Sequence, residues 1–202
     1  MKLYFSPGAC SFSPHIALRE AGLDFELVRV DLATHQLADG SDFSAINPKG
    51  YVPVLELDDG TRLTEGPAIV QYIADLKPEA NLAPKAGSFE RYRLQEWLGF
   101  INSEVHKSFS PLFRPNTPDA YKSTLRETIA NRLGYIAGHL TTRDYLLGDR
   151  FSVADGYLFT ILNWGQWLDI DLGKWPTLAA FQQRVASRAS VREALAAEKA
   201  SS

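Results

Sequence analysis

The chain has 202 residues, 45% of them hydrophobic and 22% charged, with a net charge of -3 at pH 7. Such apolar content at low net charge excludes an intrinsically disordered chain, and the length allows one large domain or two small ones. Residues 1–80 carry 6 Lys+Arg against 12 Asp+Glu, and the rest carry 15 against 12 with the basic residues scattered, which excludes the concentrated positive patch of a dedicated nucleic-acid binder.

No run approaches the roughly 18 apolar residues of a membrane span, and Pro7, Gly8 and Pro14 cut the first residues too short for a signal-peptide core. The single cysteine, Cys10, excludes an intramolecular disulfide and points to a reducing, cytoplasmic setting.

In chain order, Leu3-Tyr4-Phe5 is an apolar run ended by Pro7-Gly8 and reads as a strand. Phe12, Ile16, Ala17 and Leu18 recur at helical spacing over residues 11–21, closed by Gly22. Residues 25–30 read as a second strand, and residues 33–48 as an irregular polar stretch with room for one short helix. Residues 54–57 and 61–63 form a hairpin across Asp58-Asp59-Gly60, because Asp-Gly favours the turn's positive φ values. A helix begins near Glu65, with Pro67 in its first turn, and carries Ile69, Val70, Tyr72, Ile73 and Leu76 inward. Pro78, Pro84 and Gly87 mark a linker over residues 77–87. Beyond it, Leu94, Trp97, Leu98, Ile101 and Val105 recur at helical spacing, as do Leu125, Ile129, Leu133, Ile136 and Leu140. Ser152-Val153-Ala154-Asp155 reads as a capping box, with Asp in place of the usual Glu or Gln, and Pro176 opens a further helix through residue 185. The expectation is an α/β domain of order βαβ, loop, ββα over residues 1–80, then an all-α domain of about five helices over residues 81–202.

Four places can carry chemistry. Cys10 falls between the first strand and the first helix, where unpaired N–H groups and the helix dipole favour a thiolate. Ser13 stands where a C-x-x-C motif has its second cysteine, so any disulfide made by Cys10 is intermolecular; the competing reading is a small buried hydrophobe. Pro53 directly precedes a strand, which fits either a cis Val52-Pro53 bond, leaving the Val52 backbone open to an extended peptide, or an ordinary trans proline at a strand's first residue. Glu65-Gly66 opens a helix: free N–H groups there suit a carboxylate and the Glu65 side chain suits an ammonium group, or the glutamate simply complements the helix dipole. Gly99, Ser103 and His106, spaced by four and three, share one helix face, which reads as the wall of a cleft or as solvated surface. His15, His35 and His139 have no metal-ligand spacing, and no metal site is expected.

Cys10 after Ser-Pro-Gly-Ala, Asn47-Pro48-Lys49-Gly50 leading into Val52-Pro53, Thr64-Glu65-Gly66 and Glu104-Val105-His106-Lys107, in this order and spacing, resemble the bacterial beta-class glutathione transferases. The resemblance covers nearly the whole chain. It implies a thioredoxin-like domain followed by a helical domain, a homodimer, and glutathione as co-substrate with no tightly bound cofactor. It implies that Cys10 contacts the glutathione sulfur, that Val52 pairs with the cysteinyl part across a cis Pro53, and that Glu65 and Gly66 hold the γ-glutamyl end. His106 is implied to lie close to the sulfur from the helical domain, with Ser103, Glu104 and Val105 in the glutathione-contacting segment and Glu104 reaching from the partner subunit. Family members typically carry lysine at position 35 and asparagine at position 99. His35 is mostly neutral at pH 7, and Gly99 offers no side-chain hydrogen bond.

The expected reaction joins reduced glutathione to a small, mostly apolar electrophile through an activated thiolate. A second reading is thiol–disulfide exchange or peroxide reduction with Cys10 itself as nucleophile. A third, motivated by His35 and Gly99, is a non-catalytic binding or scaffold protein of the same fold. The aromatics Phe109 and Trp164 either line the second-substrate site or belong to the core, and core is the commoner place for such side chains.

Overall fold

The computed structural model describes residues 1–201. Five strands form one mixed sheet: β1 (Lys2–Phe5), β2 (Glu26–Asp31), β3 (Gln36–Leu37), β4 (Val54–Glu56) and β5 (Arg62–Thr64), in the order β3-β2-β1-β4-β5. β1 lies at the centre, parallel to β2 and antiparallel to β4. Its unbroken apolar run follows from that place, since a central strand covered on both faces has no polar side to present. The hairpin closes as expected, with Gly60 at φ +83°, Leu57 N–H donating to Thr61 C=O and Asp59 accepting from Thr61 N–H. The irregular stretch contains, besides a short 3-10 turn over Phe43–Ala45, the two-residue strand β3, which the sequence reading missed.

Tyr4, Val30, Phe43, Val52 and Val54 form a buried cluster at one face of this sheet. Elsewhere in the same unit, helix α1 (Phe12–Glu20) packs against α2 (Gly66–Leu76) and against the last helix, α8 (Ala189–Ala200). That last contact changes the division of the chain. Compact packing groups residues 1–83 with the C-terminal segment from Arg188, and residues 84–187 form the other unit, whereas the sequence reading assigns everything after residue 80 to the helical domain. Helix α8 buries Val191 and Ala194 completely, and a set of polar ties adds to that packing. The Glu20 carboxylate receives Arg188 Nη2 at 2.8 Å, together with Arg188 Nε and Ser190 Oγ. Glu198, only 4% exposed, receives the Gly8 N–H at 3.0 Å and pairs with His15 Nδ1 at 3.0 Å. Arg19 Nε donates to His15 Nε2, so Nδ1 is the nitrogen that carries the proton toward Glu198.

In the second unit, one helical run covers residues 89–109: α3 (Phe89–Phe100), a π-helical segment (Ile101–His106) and α4 (Lys107–Phe109). Helices α5 (Asp119–His139), α6 (Val153–Asn163) and α7 (Pro176–Ala186) complete it. Leu125, Ile129, Leu133 and Ile136 are buried along α5, as their spacing dictates. Residues 153–162 of α6 are buried on every side, the mark of a central helix. At its start, the Asp155 carboxylate accepts from Ser152 N–H, Ser152 Oγ and Leu146 N–H at 2.7–2.8 Å. Among the described residues, no helix is long and apolar enough to cross a membrane.

Candidate active site

In the first unit the expected residues meet around one loop, residues 47–53. Asn47, 2% exposed, pins it: its amide donates to Tyr51 C=O at 2.6 Å, its Oδ1 accepts from Lys49 N–H at 3.2 Å, and its carbonyl accepts from Gly50 N–H. The loop ends in a cis Val52-Pro53 bond. Cys10, half-buried in the turn before α1, donates its thiol to the Val52 carbonyl at 3.4 Å. No backbone carbonyl among the described residues takes the Val52 N–H.

Glu65 stands at the start of α2 with φ +70° and ψ 111°, a backbone conformation that is costly for a non-glycine residue and that clusters at functional sites. The loop supplies its partners. Lys49 Nζ lies 2.6 Å from Glu65 Oε1 and 3.0 Å from Thr64 Oγ1, and Tyr51 OH donates to the same Oε1 at 3.1 Å. Hydrogen bonding to Glu65 raises the Lys49 pKa above its ordinary value. The next residue, Gly66, presents the first N–H of the helix, which has no intrahelical acceptor, and a Cβ built there meets no atom within 4 Å. His35, also at positive φ (+56°), lays its ring beside Gly50, where a Cβ would come 3.2 Å from His35 Cε1. The loop thus meets Cys10 through Val52, Glu65 through Lys49 and Tyr51, and His35 through Gly50. Asn47 and Lys49 were seen in the sequence only as motif letters.

In the second unit the remaining candidates lie on or beside the π segment. Its wider turn takes up one residue more than an α-turn, so residues beyond it are rotated out of α register. Gly99, Ser103 and His106 therefore do not share one environment as α spacing predicts. Gly99 and Ser103 are exposed, whereas His106 is half-buried. Ser103 Oγ donates to Gly99 C=O at 3.0 Å, and Ser108 Oγ to Glu104 C=O at 2.6 Å, which absorbs carbonyls around the widened turn. Glu104 is bound within its own chain: its Oε2 accepts Arg132 Nε at 3.1 Å and Nη2 at 2.7 Å. Val105 is 0% exposed, so it packs in the core and offers a ligand no surface, against the expectation that it belongs to the glutathione-contacting segment.

His106 has the most specific surroundings of the five. Its ring meets Trp164 edge-on at 4.9 Å and Tyr157 at 5.9 Å between centroids. Its Nδ1 lies 2.7 Å from Tyr157 OH, and that hydroxyl donates to Asn102 Oδ1 at 2.9 Å. Burial, and after it the neighbouring Lys107 ammonium, lowers the His106 pKa to about 4, so the imidazole is neutral at pH 7. Tyr157 lies 51 residues away in sequence, and nothing in the chain's periodicity announces it. Phe109 is fully buried and Trp164 nearly so, as core residues are. Among the described residues, no group of three or more His, Cys, Asp or Glu is placed to hold a metal ion.

The family described as "Glutathione S-transferase, N-terminal domain" matches residues 8–76, and "Glutathione S-transferase, C-terminal domain" matches residues 100–189. Glutathione S-transferase GstA of Escherichia coli O157:H7 is 50% identical over 198 residues, 98% of each chain. Among solved structures, BphK, a bacterial GST in a ternary complex, is 61% identical with a TM-score of 0.98, over 98% of this chain and 100% of the other. The bacterial beta-class glutathione S-transferase of Sphingomonas chungbukensis is 50% identical with a TM-score of 0.95, over 98% of each chain. Two domain matches in the family's order, together with half or more of the residues shared across almost the full length, settle descent: the chain belongs to the glutathione S-transferase family.

Proposed function

We propose that this transferase holds glutathione along the 47–53 loop of its first unit. The cysteinyl part pairs with the Val52 backbone as an added strand. The γ-glutamyl ammonium meets the Glu65 carboxylate, and its carboxylate meets the N–H of Gly66 at the start of α2. His35, beside Gly50, serves the glycine end. The observation that carries this reading is that one pinned loop meets both the Cys10 thiol and the strained Glu65. From the helical unit, His106 supplies a neutral Nε2 that accepts the thiol proton. The S–H bond breaks as an N–H bond forms, the thiolate attacks an electrophilic carbon, and the leaving group departs with the bonding pair. The second substrate is a small, mostly apolar electrophile. The working form is a cytoplasmic homodimer, as is normal in the family.

Cys10 acts on the glutathione sulfur as a hydrogen-bonding neighbour. The support is its bond to the Val52 carbonyl, which a thiol makes and a thiolate cannot. Cys10→Ala therefore lowers conjugation of 1-chloro-2,4-dinitrobenzene by less than about tenfold, the range of one neutral hydrogen bond. It abolishes only exchange that runs through a Cys10–glutathione mixed disulfide. Complete loss of conjugation in a folded variant would make Cys10 the obligatory nucleophile and overturn this assignment.

A further inference from the structure

The hydroxyl of Tyr157 has a single proton. It is given to Asn102 Oδ1 at 2.9 Å, so the oxygen faces His106 Nδ1, 2.7 Å away, as an acceptor. A hydroxyl already donating elsewhere holds an imidazole as its Nδ1–H tautomer, which leaves the Nε2 lone pair outward; no protein partner among the described residues takes it. Which nitrogen of a histidine can act as a base is set by the bond that the other makes. Asn102 belongs to the π segment that also carries His106, and Tyr157 to the buried helix α6. The relay therefore runs from the rigid centre of the helical unit to the ring, and Trp164 closes the ring's flank.

We propose that Tyr157 and Asn102 are positioning residues: together they set the tautomer of His106, so that Nε2 is an acceptor whenever glutathione arrives. This rests on the reading of His106 as proton acceptor and deepens it. Asn102 and His106, four residues apart and so on one helix face, reach the same hydroxyl from one short segment. The relay also makes the ring's geometry depend on α6, to which Tyr157 belongs.

The test is nitrogen NMR of the full-length enzyme labelled at histidine, with His106→Gln used to assign the signal, alongside steady-state kinetics. In the wild type, His106 shows the Nδ1–H tautomer at pH 7. Tyr157→Phe, which keeps the buried ring, loses that fixed tautomer and lowers kcat by about ten- to a hundredfold, the range seen when the partner that orients a metal-bound histidine is lost, with KM for glutathione unchanged. Asn102→Leu frees the Tyr157 proton to turn toward Nδ1; it converts His106 to the Nε2–H tautomer and lowers kcat at least as far. This second variant keeps the test decisive if Tyr157→Phe fails to fold. A wild-type Nε2–H tautomer overturns the proposal, as does a folded Tyr157→Phe or Asn102→Leu enzyme with unchanged tautomer and kcat. If His106→Gln itself leaves kcat unchanged, the reading of His106 falls and the relay with it. If His106→Gln is strongly impaired and the relay variants are not, the relay alone falls.

Discussion

Replacing His106 with glutamine lowers kcat for glutathione conjugation by about 10²- to 10³-fold, the range for losing a positioned general base, and leaves KM for glutathione nearly unchanged. The split follows from timing. The thiol proton moves only as the transition state forms, so losing its acceptor affects the chemical step and not the binding of the tripeptide. The low pKa of the ring, about 4, keeps it neutral at pH 7 but makes it a weak base before glutathione is bound. A neutral ring has a lone pair to offer, and a thiolate forming beside it favours the imidazolium that burial alone disfavours. The same shift has a consequence for stability. With the folded-state pKa at about 4 and the ordinary value at 6.5, the unfolded chain binds more protons between those values. The wild type therefore keeps this contribution above pH 6.5 and loses it as pH falls toward 4. His106→Gln has no such loss, so between pH 7 and pH 4 its stability rises relative to wild type by up to roughly 3 kcal/mol. Urea denaturation of both proteins at several pH values in that range measures it, and a constant difference contradicts the assigned burial.

Asp155→Ala costs about 3–5 kcal/mol of stability, enough to unfold many domains at 37 °C. Asp155 is 0% exposed, and its carboxylate is the acceptor for Leu146 N–H, Ser152 N–H and Ser152 Oγ. Alanine leaves these donors buried, and each unsatisfied group costs about 1–3 kcal/mol. Asp155→Asn keeps an oxygen for some of them and loses less. Burial pushes the Asp155 pKa up to about 6 against the opposing pull of the Leu146 and Ser152 hydrogen bonds. Because the folded value exceeds the ordinary 3.8, the native state binds more protons between the two. That contribution is complete below pH 3.8 and is lost as pH rises through 6. The gap between wild type and Asp155→Asn therefore narrows from pH 4 to pH 7 in calorimetric unfolding. A widening gap contradicts the account.

Local chemistry was legible in the sequence wherever a residue's own conformation decides the outcome. Gly60 after Asp59 turns a hairpin, Pro67 and Pro176 open helices, and the spacing of Leu125, Ile129, Leu133 and Ile136 marks the buried face of α5. The motifs around Cys10, Val52 and Glu65 singled out residues that the structure gathers at the 47–53 loop, although not what holds that loop together. Three features left no local trace. Strand β3 has only two residues and owes its existence to β2 beside it. Helix α8 joins the first unit through Glu20–Arg188 and Glu198–His15, pairs more than 160 residues apart in sequence. The π segment arises from a one-residue shift in backbone pairing that no side-chain preference encodes. It carries His106, whose ring meets Tyr157, a partner 51 residues away in sequence.

The central claim, a glutathione site on the 47–53 loop with Glu65 as its charged anchor, is tested most directly by calorimetric titration of glutathione into the wild type and into Glu65→Gln, which keeps the side chain's shape and removes its charge. The account predicts saturable binding by the wild type and a dissociation constant at least about tenfold weaker in the variant, the worth of one charge-assisted hydrogen bond. No heat of binding in the wild type, or equal dissociation constants in the two proteins, contradicts it.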